Sequence, residues 1–215
     1  MPRKDEHTPA LGEHEFVELI RTLHLPRYAE LPPIDLYMDQ VLTYVEEQLR
    51  PLVSADEKLL TSSMVNNYVK QHVLPTPRRK RYGREHVARL IAICLLKRTF
   101  SIGDIQRLLD AQAATHELGT AYDFFCTTVE ESLRVLFCGT VTSHKLGAWA
   151  IEHEGGFAFA LKVANAAELS PERRMAISAA TCAANKIYVE KCSELSILGG
   201  AFAEPQDNNA EGEPK

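Results

Sequence analysis

The chain has 215 residues, of which 45% are hydrophobic and 25% charged, the profile of one globular domain or of a domain with a helical extension. A net charge of −5 gives no global attraction to nucleic acid, and no apolar run approaches the roughly 18 residues that span a bilayer. The polar start has no apolar core of a secretory signal, and the five cysteines are widely spaced without a C-x-x-C, so free thiols in a reducing cytoplasm are expected.

Residues 1–11 read as a flexible arm. Phe16, Leu19, Ile20 and Leu23 recur at helical spacing and predict a short amphipathic helix over Glu13–Leu23. Pro26, Pro32 and Pro33 then interrupt the chain. Asp35 is placed to cap a second helix, Leu36–Leu49, whose apolar stripe is Leu36, Met38, Val41, Leu42, Val45 and Leu49, and Pro51 ends it. After a polar connection at 54–58, Thr61 or Ser62 caps a third helix. Met64, Val65, Tyr68 and Val69 face inward, and Ser63, Asn66, Asn67, Lys70 and Gln71 are left outward. Pro75 and Pro77 stop this helix.

Arg78–Arg81, set between prolines and Gly83, suits a tight hairpin better than a helix. Glu85–Arg98 is a strongly apolar helix, and Ser101 caps a further one over Ile102–Leu109. Tyr122, Phe125, Val129, Leu133 and Leu136 form a helical seam within Thr120–Phe137, read equally as internal core or as a dimer interface. Val141–Glu152 and Phe157–Glu168 are Ala-rich helices. Ser170-Pro171 opens a helix to about Leu195, and the tail at 204–215 is too polar to fold. The expected fold is all-α with a small β wing.

The average charge conceals an asymmetry. Residues 61–98 hold nine basic residues (Lys70, Arg78, Arg79, Lys80, Arg81, Arg84, Arg89, Lys97 and Arg98) against one acid, Glu85, a net of +8 that leaves −13 for the rest of the −5 total. A basic island in an acidic chain is a local electrostatic footprint.

Four strings carry a family resemblance: Met64–Pro75 (MVNNYVKQHVLP), Arg79–Tyr82 (RKRY), Glu85–Ile93 (EHVARLIAI) and Phe100–Leu109 (FSIGDIQRLL). In this order they resemble the winged helix-turn-helix head of MerR-type regulators. There the first is the recognition helix, the second the basic wing, and the last two the supporting helices. With LPPIDLYMDQVLTYVEEQL they resemble more closely, over about Leu31–Phe137, a bacterial family catalogued as a domain of unknown function and regarded as MerR-like. Departures are Asn66 and Asn67 where MerR heads often carry arginine and tyrosine, His72 in place of a glycine, and a wing without its glycine.

The resemblance implies double-stranded DNA as partner, a homodimer, and an effector of unknown kind. Arg78, Arg79, Lys80, Arg81 and Arg84 would neutralise phosphates, which supplies most of the affinity for duplex DNA. Asn66, Asn67, Lys70 and Gln71 would read base edges, and Thr61, Ser62 and Ser63 would meet phosphate at the helix start. Tyr82 is balanced between packing and phosphate contact.

The expected layout is an arm and short helix at 1–30, the head at 31–110, a helical dimerisation or effector region at 111–203 and the tail at 204–215. No catalytic motif, cofactor fingerprint or metal-ligand spacing is found, so the expectation is a cytoplasmic regulator without a cofactor rather than an enzyme. The competing expectation is a protein-interaction or small-ligand-binding helical module on the same fold that has lost specific DNA contacts.

Overall fold

The computed structural model describes residues 15–54, 57–138 and 169–195. Its helices are α1 (Glu15–Thr22), α2 (Met38–Leu49), α3 (Ser62–Lys70), α4 (Arg84–Leu96), α5 (Ile102–Ala113), α6 (Leu118–Cys138) and α7 (Pro171–Glu194). Two single turns of 3-10 helix, Tyr28–Glu30 and Arg50–Leu52, join the early ones. The expected arm at 1–11, the helices over Val141–Glu152 and Phe157–Glu168, and the tail at 204–215 lie outside the described residues.

Short polar side chains set the helix starts. The Thr61, Ser101 and Ser170 hydroxyls accept from the backbone N–H of Met64, Asp104 and Arg173 at 3.2, 3.2 and 3.3 Å. Each satisfies a donor that has no partner within its own helix.

The fold is organised around α4. Every residue from Val87 to Leu96 except Arg89 is buried, so this helix is apolar all round and meets neighbours on all sides. α2 supplies Val41, Val45 and Leu49 to that core, α3 supplies Val65 and Tyr68, and α6 supplies Phe125, Val129 and Leu133. α7 brings a face of Ala176, Ala179, Ala180, Ala183 and Ala184, whose small side chains let it lie close against α6. The core runs without a break from Val17 to Cys192.

That continuity decides one open expectation. The α6 seam is internal: Tyr122, Val129 and Leu133 are 4, 0 and 0% exposed within a single chain. α1 and α7 of the same chain cover α6, so this seam has no free face for a second copy.

Two further expectations change. α2 begins at Met38 rather than Leu36, and Asp35 does not cap it. Leu36 and Tyr82 exchange both backbone hydrogen bonds, each at 2.9 Å, which commits Leu36 to an extended partner 46 positions along the chain. Tyr37 is the residue flanking the helix, and its N–H donates to Gln40 Oε1 at 2.9 Å. Among the described residues there is no strand in place of the expected β wing, only this bridge and a second between Arg78 and Arg81.

The end of α3 stores a small amount of strain. His72, just past the helix, has φ 59°, and Val73 N–H and Leu74 N–H fold back onto the Tyr68 carbonyl. This left-handed position favours glycine. His72→Gly is expected to stabilise the fold by about 0.5–1 kcal/mol, which thermal denaturation would read as a midpoint raised by about 2 °C; a lowered midpoint would contradict this reading.

Candidate nucleic-acid interface

The residues expected to meet nucleic acid divide by what the fold does with them. Ser62, Ser63, Asn66, Asn67, Lys70 and Gln71 are exposed on α3, while Val65 and Tyr68 turn into the core. This is the outcome of a 3.6-residue period with apolar side chains on one face. Burial pushes the Tyr68 phenol up to about 12. Thr61 is half-buried because its hydroxyl caps the helix.

Arg78, Arg79, Lys80 and Arg81 are all exposed. The Arg81 N–H donates to the Arg78 carbonyl at 2.9 Å, and Arg79 and Lys80 have φ 49° and 61°. Two consecutive left-handed residues inside such a closure are a two-residue hairpin turn of type I′. That turn normally takes Asn-Gly, and here two long cations occupy it. Seven residues separate Arg78 from the end of α3 at Gln71, which holds the turn within about 25 Å of that end.

The remaining members of the basic island are engaged elsewhere. Arg84 is half-buried at the start of α4, its guanidinium 5.7 Å from the centre of the Tyr28 ring. Arg89 pairs with Glu85 at 3.1 Å. Lys97 donates to the Leu59 carbonyl. Arg98 is 7% exposed and pairs with Glu57 and Glu190. The cations left open to solvent are therefore Lys70 and the four of the turn. Arg78, Arg79, Lys80 and Lys70 pair with no carboxylate among the described residues.

Tyr82 is 4% exposed and stacks edge-on to His86, with ring centres 5.5 Å apart, so it supports the turn from beneath. Tyr37, which the helical pattern of α2 does not single out, lies at the surface instead. It is 49% exposed, its hydroxyl accepts from Arg81 Nη2 at 2.8 Å, and the Arg81 guanidinium lies 4.7 Å from its ring centre. The contact follows from the Leu36–Tyr82 bridge, which sets residues 37 and 81 side by side. No local sequence signal reports a pairing of that range.

His86 links the turn to α4. Its Nδ1 accepts from the Gly83 N–H at 3.1 Å. Gly83 is required by close approach, since a Cβ there would lie 2.8 Å from Asp35 Oδ1. Burial holds the His86 imidazole below its ordinary value of 6.5, against the opposing pull of Glu85. A lowered folded pKa means that the unfolded chain binds the proton first. The contribution of His86 is therefore complete above about pH 6.5 and is lost as the pH falls below it. In thermal melts between pH 7 and 5, His86→Gln, which keeps an acceptor for Gly83, should flatten the decline in midpoint. Equal declines in both proteins would exclude this role for His86.

The cysteines show no ligand chemistry. All five are free, and burial raises the Cys94 and Cys126 thiols to about 12, which keeps both protonated. No cluster of three or more His, Cys, Asp or Glu able to hold a metal occurs among the described residues. No helix among them is long and apolar enough to cross a membrane.

Comparison with known families now has a geometry to refer to. Residues 26–125 match a family described as a domain of unknown function, DUF1836. The segment 26–125 is a DUF1836 domain. No curated protein and no solved structure matches the chain. The DUF1836 domain contains α2 to α5, the basic turn and the first part of α6. Its match ends at residue 125, inside α6, yet the helix continues to Cys138 and its later turns hold the domain's first residues in place. Glu130 accepts from Leu25 N–H at 2.6 Å and from both terminal nitrogens of Arg27 at 2.8 and 2.6 Å. In the structure the DUF1836 domain therefore shares one core with α1, the end of α6 and α7.

Proposed function

We propose that this protein is a DNA-binding transcriptional regulator of MerR-like type. In this reading α3 enters the major groove with Ser63, Asn66, Asn67, Lys70 and Gln71, and the turn at Arg78–Arg81 acts as a wing on flanking phosphates. The observation that carries the reading is the sorting of the basic island. The fold uses Arg84, Arg89, Lys97 and Arg98 internally and leaves Lys70 and the turn cations at the surface. Unpaired cations near an exposed row of amides and hydroxyls provide both phosphate affinity and base reading.

Asn66 and Asn67 suit adenine, whose edge takes an amide bidentately, and Lys70 suits guanine or a phosphate. Thr61, Ser62 and Ser63 stand at the start of α3, where free amides favour a phosphate. Arg84 and Tyr82 serve this surface by supporting the turn. One head buries too little surface for tight specific binding, so the functional unit is a dimer formed through a surface other than the α6 seam. The competing interaction-module reading needs acidic cover over these cations, and no carboxylate among the described residues pairs with Arg78, Arg79, Lys80 or Lys70.

Fluorescence-anisotropy titration of the full chain with a random-sequence duplex, at low and then raised salt, tests the proposal. Binding that weakens with salt supports it. An absence of binding at low salt overturns it.

A further inference from the structure

We infer that Tyr37 and Arg81 form a single phosphate-binding clamp on the edge of the basic turn, with Tyr37 as a second donor beside the arginine. The inference deepens the DNA-binding reading and rests on it. Its basis is the chemistry of the pair. Arg81 Nη2 donates to the Tyr37 hydroxyl oxygen at 2.8 Å, so the phenol acts as acceptor in that bond and its own O–H remains free to donate. The guanidinium spends one of five N–H groups on the phenol and lies 4.7 Å from the ring centre, which fixes its plane. Tyr37 is 49% exposed and Arg81 is exposed, so the free O–H and the free N–H groups are both open to solvent.

The backbone fixes the pair from both sides. The two 2.9 Å hydrogen bonds between Leu36 and Tyr82 hold the neighbouring residues 37 and 81 in register. The bond from the Arg81 N–H to the Arg78 carbonyl closes the turn on the other side. The nearest carboxylates along the chain, Asp35 and Asp39, form no ion pair with Arg81. An immobilised guanidinium with an adjoining phenol O–H offers two kinds of donor to one tetrahedral anion, as a phosphodiester oxygen pair requires. An arginine free on a flexible turn would lose side-chain entropy on binding that this one has already lost.

The test is a set of anisotropy titrations with random-sequence duplex over a range of salt, on the wild type, Tyr37→Phe, Arg81→Ala and the double variant, each first shown to melt like the wild type. Tyr37→Phe keeps the ring under the guanidinium and removes only the hydroxyl. It is expected to weaken binding about tenfold at every salt concentration with an unchanged slope, because a neutral donor releases no counterion. Arg81→Ala is expected to lower the slope by about 0.9. The double variant is expected to bind no more weakly than Arg81→Ala, because both side chains serve one phosphate. Tyr37→Phe binding like the wild type, or losses that add in the double variant, overturns the clamp while leaving the DNA reading standing. A wild type that does not bind at low salt overturns both.

Discussion

Glu130→Ala is expected to destabilise the protein by about 3–5 kcal/mol, the largest single-residue effect in the fold. The Glu130 side chain is 3% exposed and serves three donors: the Leu25 N–H and both ends of the Arg27 guanidinium. Arg134 Nη2 stands 3.8 Å away as a second cation. Removing the carboxylate leaves a buried backbone N–H without an acceptor and a mostly buried guanidinium without its counter-charge, and uncompensated buried charge is what makes breaking such pairs costly. A domain of ordinary stability has only about 5–15 kcal/mol in total. Urea denaturation would read the effect as a lowered midpoint. Glu130→Gln, which keeps an acceptor and loses the charge, should fall between. A loss below about 1 kcal/mol for Glu130→Ala would show that the network contributes nothing to holding residues 24–27 against α6.

Neutralising the basic turn is expected to leave the fold intact and remove most of its DNA affinity. The informative variant is Arg78→Gln, Arg79→Asn, Lys80→Gly and Arg81→Gln together. Alanine would be a poor choice at 79 and 80, because both have positive φ and alanine resists that conformation. Asn-Gly is the preferred pair for a type I′ turn, so the neutral variant should melt at or above the wild-type temperature. Its loss of DNA binding would then report charge rather than unfolding. Four phosphates released at about 0.9 each amount to a salt slope flatter by about three to four units.

The parts of this structure legible in the sequence are those set by short-range rules. Thr61, Ser101 and Ser170-Pro171 announce helix starts, and the inward set Val65 and Tyr68 against the outward set Asn66, Asn67 and Lys70 follows from helical period alone. What escaped the sequence depends on contacts far apart in the chain. The start of α2 moves to Met38 because Leu36 pairs with Tyr82. Arg98 reads as part of a basic footprint, yet Glu57 and Glu190 draw it inside. Glu130 and Glu131 look like polar breaks in an apolar seam, and their side chains are 3% exposed because Arg27 and Arg134 reach them. For the candidate interface the same division holds. The exposed row on α3 follows from local pattern, whereas the burial of Tyr82 and the position of Tyr37 depend on a bridge that no local pattern contains.

The most direct test of the central claim is the dependence of log K on log salt concentration for random-sequence duplex, measured for the wild type beside the neutral-turn variant. The expected result is a wild type that binds at low salt with a steep negative slope, and a variant of undiminished melting temperature whose slope is flatter by about three to four units. Parallel lines for the two proteins, or a wild type that does not bind at low salt, would contradict the assignment of the Arg78–Arg81 turn to phosphate contact.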